Sequence, residues 1–103
     1  MLYLSGQTST TDDGAPVHPG DISAQFGLAW KNLKDALAAA GMEPTNIVRL
    51  NIYTTDAEGF MAAAGELTSA LAGDGCKPVC TLLGVAALFA PEVMIELEAT
   101  AVA

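Results

Sequence analysis

The chain has 103 residues, 51% of them hydrophobic, and its twelve acidic and four basic side chains give a formal charge of −8. That length holds one domain, 1–103, and not two. Nucleic acid is excluded as an expected partner, because phosphate binding needs clustered Lys and Arg, whereas Lys31, Lys34, Arg49 and Lys77 are scattered.

Leu2-Tyr3-Leu4-Ser5 opens as a short strand. Thr8 to Gly20 is rich in Thr, Asp, Gly and Pro without periodicity and reads as a loop. Asp21 is placed to cap a helix whose apolar face is Phe26, Ala29, Leu33, Leu37 and Ala40, with Gly41 as its stop. From Asn46 to Thr54, Val48, Leu50 and Ile52 alternate with Arg49, Asn51 and Tyr53, which predicts a strand with one core face. Thr55 and Glu58 match a capping box for a second helix, buried along Phe60, Ala64, Leu67 and Leu71 and stopped near Gly73. A strand from Val79 to Ala87, a turn at Ala90-Pro91 and a strand from Val93 to Val102 complete the chain. The order β-α-β-α-β-β predicts an α+β domain with both helices on one face of the sheet.

The other face is expected to be mixed. In the last strand Val93, Ile95, Leu97 and Ala99 suit the helix-covered core, which turns Met94, Glu96 and Glu98 outward. In the preceding strand Val79, Thr81, Leu83 and Val85 are assigned to the same core. That places Cys80, Leu82, Gly84 and Ala86 beside Glu96 on the open face. Carboxylates, a thiol and apolar groups on one surface suit an oligomer interface with a polar pocket; a half-solvated sheet is the alternative.

Metal chemistry finds little support. His18 is the only histidine, and Cys76 and Cys80 have no second pair and no zinc-ribbon spacing. Nor is a disulfide expected between them: four extended residues span ~13 Å, and a disulfide needs Cα atoms within ~7 Å. No run approaches the ~18 apolar residues of a membrane span, and no charged start leads into a secretory apolar stretch. A cytoplasmic protein without a membrane partner is expected.

Tyr3-Leu4-Ser5-Gly6-Gln7, Asp21-Ile22 with Gln25, Asn32-Leu33 and Ala40-Gly41, Asn46-Ile47-Val48 through Asp56 and Phe60, Gly84 to Leu88, and Ile95-Glu96-Leu97-Glu98-Ala99 follow one another in the chain. In this order they resemble the reactive intermediate deaminase (Rid, YjgF-type) family. The resemblance implies a chorismate-mutase-like fold and a homotrimer with clefts between subunits. It also implies hydrolysis of small enamines or imines to 2-keto acids and ammonia, without metal or cofactor. Glu96 matches the glutamate that positions the hydrolytic water. Ser5, Gly6 and Gln7 match a pocket wall whose backbone N–H groups can hold a ligand carboxylate.

The chain departs from the family pattern twice. The N-terminal strand and pocket tyrosine of other members have no counterpart here. The family's Pro-x-Arg is Pro78-Val79-Cys80, so the arginine that grips a substrate carboxylate is replaced. Cys80 is open to three readings: a packed thiol, a pocket-lining group together with Leu82, or a nucleophile activated by a nearby base. For Glu96 the alternative is an ordinary strand carboxylate, and for Ser5-Gly6-Gln7 a plain strand end. The function expected is a Rid-like hydrolase of a small C–N compound; the alternative is a noncatalytic trimer that binds a small ligand.

Overall fold

A computed structural model describes residues 1–103. Its elements are β1 (Leu2–Gln7), α1 (Ile22–Ala39), a 3-10 turn at Pro44–Asn46, β2 (Ile47–Thr54), α2 (Ala57–Gly73), β3 (Val79–Gly84) and β4 (Ile95–Ala101). The sheet order is β1-β4-β2-β3. β4 is antiparallel to both neighbours and β3 is parallel to β2, which makes the sheet mixed. No helix is long and apolar enough to cross a membrane.

The expected α+β fold is present, with two helices packed on the sheet. α1 buries Phe26, Ala29, Trp30, Leu33 and Leu37 against Leu50, Ile52, Ile95 and Leu97, all within one hydrophobic cluster. Asp21 caps α1 by accepting from the Ala24 N–H at 3.0 Å. Gly41 follows the helix at φ +74°, a conformation that suits a residue without Cβ.

Four local expectations need correction. Asp56, rather than Thr55, caps α2: its carboxylate accepts from the Gly59 N–H, while Thr54 Oγ1 accepts from the Asp56 N–H. Val48 is not a core residue. The pairing of β2 with β4 slips between Ile47 and Arg49, and this bulge leaves Val48 47% exposed between buried Ile47 and Leu50. β3 ends at Gly84 rather than Ala87, because its partner β2 ends at Thr54; only the Val85 N–H still reaches Thr54 O. β4 starts at Ile95 rather than Val93.

Met94, just before β4, is held by Gln25. This buried side chain donates to His18 O at 3.0 Å and Glu92 O at 2.8 Å, and accepts from the Met94 N–H at 2.8 Å. A single amide thereby ties the loop before α1 to the loop before β4, with its own polar atoms satisfied.

Candidate functional site

Register decides which side chains meet. Leu50 pairs with Cys80 and Ile52 with Leu82, and paired residues share a face of the sheet. Leu50 and Ile52 are core residues, so Cys80 and Leu82 lie on the helix side, where Leu82 packs against the core cluster. Val79 and Leu83 stand on the open face, 62% and 47% exposed. The facing assigned to β3 from sequence is therefore reversed. Both faces of this strand are largely apolar, and alternation has nothing to discriminate.

In β4 the expected facing holds: Ile95, Leu97, Ala99 and Ala101 are buried and Glu96, Glu98 and Thr100 turn to the open face. Within one chain Glu96 and Cys80 consequently sit on opposite sides of the sheet. Cys80 is exposed, which rules out the packed-thiol reading, and only partial desolvation raises its thiol. Cys76 is buried, and burial pushes its thiol up to about 11, with Cys80 and Asp74 adding to the effect. Both cysteines are free. A thiol held protonated is a poor nucleophile.

Glu96 does meet the first strand. A Cβ placed on Gly6 would lie 2.5 Å from both Cδ and Oε1 of Glu96. The carboxylate occupies the space that any larger residue at position 6 would fill. A break in register between Leu4 and Gln7 accompanies this contact. Ser5 lines the open face next to Glu98. Gln7 turns away: it borders a polar groove beside α1 with Thr10 and Asn32, and its Nε2 donates to Ser5 O at 3.3 Å. Of the residues singled out from sequence, then, Ser5, Gly6 and Glu96 share one neighbourhood of this chain, and Gln7, Cys80 and Leu82 lie elsewhere.

The structure adds a polar cluster that the sequence did not reveal. Tyr53 pairs with Glu96 and Asn51 with Glu98 across β2 and β4. The Tyr53 hydroxyl donates to Glu98 Oε1, and Asn51 Nδ2 donates to the same oxygen at 3.0 Å. The Tyr53 hydrogen bond, then that of Asn51, holds the Glu98 carboxyl below its ordinary range; the same bond to Glu98, with burial, raises the Tyr53 phenol. Arg49 stands on this face as well, and with Ser5, Asn51, Glu98 and Thr100 it borders a concavity of about 300 Å³. The polar parity of Arg49, Asn51 and Tyr53 was visible in β2, but their pairing with Glu98 depends on a register that only the fold supplies. No group of three or more His, Cys, Asp or Glu gathers as a metal site would require.

Comparison with known proteins gives one answer. The family model described as Endoribonuclease L-PSP matches residues 1–103. The chain is 34% identical over 104 residues to Protein MMF1, mitochondrial, of Saccharomyces cerevisiae, covering 99% of this chain and 68% of that protein. It is 32% identical over 59 residues to the 2-iminobutanoate/2-iminopropanoate deaminase of Rattus norvegicus, covering 57% of this chain and 43% of that one. Among solved structures, the conserved Rid-family protein YyfB of Yersinia pestis, described as of unknown function, superposes with a TM-score of 0.86 at 33% identity, covering 97% of this chain and 76% of that chain.

Proposed function

This chain belongs to the endoribonuclease L-PSP (Rid/YjgF) family, and from that membership we propose a hydrolase acting on a small imine, enamine or related C–N compound at clefts between the subunits of a homotrimer. The observation that carries this reading is the Glu96 carboxylate lying against Gly6, in the strand that resembles the family's pocket wall. A carboxylate there can orient a water and take its proton as the water oxygen adds to the C=N carbon. Passing that proton to nitrogen gives a carbinolamine, and when its hydroxyl proton follows to nitrogen the C–N bond breaks, releasing ammonia and leaving a carbonyl. No cofactor enters the balance. The net charge of −8 weighs against an RNA substrate.

Substrate preference should differ from that of imino-acid deaminases. Cys80 matches the position of the family arginine and offers a substrate carboxylate no cation; because Glu96 and Cys80 of one chain face opposite sides of the sheet, a cleft that joins them takes Cys80 from a neighbouring subunit. Losing a charge-assisted contact of ~1.5–3 kcal/mol corresponds to a factor of ~10–200 in the specificity constant. The same observation favours a second reading, a noncatalytic trimer that binds a small ligand, because the Cys80 thiol is kept protonated on the helix side.

Ammonia release from an enzymatically generated 2-imino acid separates the two. The expected outcome is weak turnover in the wild type, a gain with Cys80→Arg, and a loss of about 10²–10⁴ when Glu96→Gln is added to that background. Turnover that survives Glu96→Gln refutes the role of Glu96. Absence of ammonia in both wild type and Cys80→Arg favours the binding protein.

A further inference from the structure

β2 treats the two outward carboxylates of β4 differently. Tyr53 is the direct cross-strand partner of Glu96, and Asn51 that of Glu98. Directly opposed residues have Cβ atoms ~4.5–5.5 Å apart and diagonal ones stand ~7–8 Å apart, so Glu96 is the nearer carboxylate for Tyr53. The phenol nonetheless donates along the diagonal to Oε1 of Glu98, where Asn51 Nδ2 donates as well. The charge of Glu96 is still felt there: after the Glu98 hydrogen bond, burial and the Glu98 charge, it helps to hold the Tyr53 phenol above its ordinary value. Glu96 receives neither bond and takes no part in the ion pairs Lys31–Asp35 and Lys34–Asp74. No buried polar side-chain atom of the chain lacks a partner, so the unpaired Glu96 oxygens are open to water rather than sealed.

We infer that Glu98 is a positioning residue for Glu96: by accepting from Tyr53 and Asn51 it keeps the neighbouring phenol off the Glu96 carboxylate, which stays free to hold a water and take its proton. The inference rests on the hydrolase reading and gives Glu98 a part in it. A carboxylate that already accepts an O–H is a weaker base, because a hydrogen bond to the charged form favours that form. On the β1 side Glu96 lies against Gly6, which brings no side chain to it. On the β2 side the one hydroxyl within reach is turned away by Glu98. Water is what remains. No other charge competes for the phenol. Leu83 is the partner of Tyr53 in β3, Arg49 lies four residues back along β2, and Tyr3, the titratable residue of β1, pairs with Thr100. All these side chains belong to one chain, and the bonds among them require no free surface.

Two measurements test it, and the first needs no turnover. Tyr3 and Tyr53 are the two tyrosines of the chain, so in a Tyr3→Phe background an ultraviolet titration reports the Tyr53 phenol alone. Glu98→Ala should leave that phenol raised, because its hydroxyl moves to Glu96. Adding Glu96→Ala should let it fall toward the ordinary value of ~10, with thermal melting confirming that each variant is folded. A phenol that falls in Glu98→Ala alone, or stays raised in the double variant, overturns the inference. The second measurement is ammonia release in the Cys80→Arg background. Glu98→Ala should lower kcat about tenfold. Glu98→Gln keeps an acceptor for both donors without the charge and should stay within about twofold. Tyr53→Phe added to Glu98→Ala should restore most of the loss. Equal losses in Glu98→Gln and Glu98→Ala would assign the effect to charge and overturn the inference, as would a loss that Tyr53→Phe does not recover. If Cys80→Arg releases no ammonia, the hydrolase reading fails by itself, and the phenol titration still decides whether Glu98 draws Tyr53 away from Glu96.

Discussion

At the residue scale the most constrained contact is the one between Gly6 and Glu96. Glycine at position 6 invites the idea of backbone approaching a ligand, and the structure gives it a nearer reason: the Glu96 carboxylate already lies where a Cβ would go. Gly6→Ala forces that carboxylate aside. The displaced atoms are the far end of a flexible side chain, so folding should suffer little, with a change in stability of about 0.5 kcal/mol or less. If Glu96 handles the water, ammonia release should instead fall as far as it does in Glu96→Gln. Thermal melting and the ammonia assay on the same preparation check both halves. Full turnover in Gly6→Ala would show that the position of Glu96 is immaterial. The sequence singled out both residues but could not bring them together, since their contact arises where β1 slips against β4.

Elements with a strong hydrophobic period were legible. The core faces of α1 and α2 and the inward row of β4 follow largely from spacing, because each presents one apolar and one polar side; on α1 the exceptions are Ala40, which caps the helix and is exposed, and Trp30, whose burial the spacing did not single out. β3 was not legible: Val79, Thr81 and Leu83 resemble Cys80, Leu82 and Gly84 too closely for parity to choose, and burial of Leu50 and Ile52 in the neighbouring strand chose instead. The Val48 bulge was hidden for a related reason. A single added residue leaves the local alternation intact and shifts only what it faces. Between elements, Asp74 at the end of α2 accepts from Trp30 Nε1 at 2.6 Å and Lys34 Nζ at 3.0 Å of α1. These bonds, Trp30 first, hold its carboxyl below the ordinary 3.8. A lowered folded-state value means that ionised Asp74 favours the folded chain above the unfolded value, and that this contribution is lost as pH falls through the folded one. Stability should therefore decline as pH drops below about 4. Asp74→Asn should flatten that part of a melting-temperature profile against pH; an unchanged acid slope would remove Asp74 from the account.

For the whole molecule, the open sheet face poses the question of assembly. It carries Tyr3, Val79 and Leu83 at 75%, 62% and 47% exposure beside the Glu98 cluster. Apolar groups mixed with organised polar ones are typical of surfaces that meet a partner. Sedimentation at micromolar concentration should return a species of three chains. A well-behaved monomer would remove the clefts at which hydrolysis is proposed. Assembly is the least legible level in sequence, because it depends on the shape of a face that no local pattern describes.

The amide of Gln25 has a further consequence, for which sequences this fold accepts. Its three partners are main-chain atoms of His18, Glu92 and Met94. A clamp that grips only backbone is indifferent to the side chains at those positions. The loops before α1 and before β4 are thus free to vary in composition while their courses stay fixed, provided that position 25 keeps two donors and an acceptor. Glutamate there would offer its oxygens to two carbonyls and lose both bonds, and leucine would leave all three main-chain groups without a partner. Freedom to diversify the rim of the sheet is concentrated, in effect, as intolerance at one residue inside it.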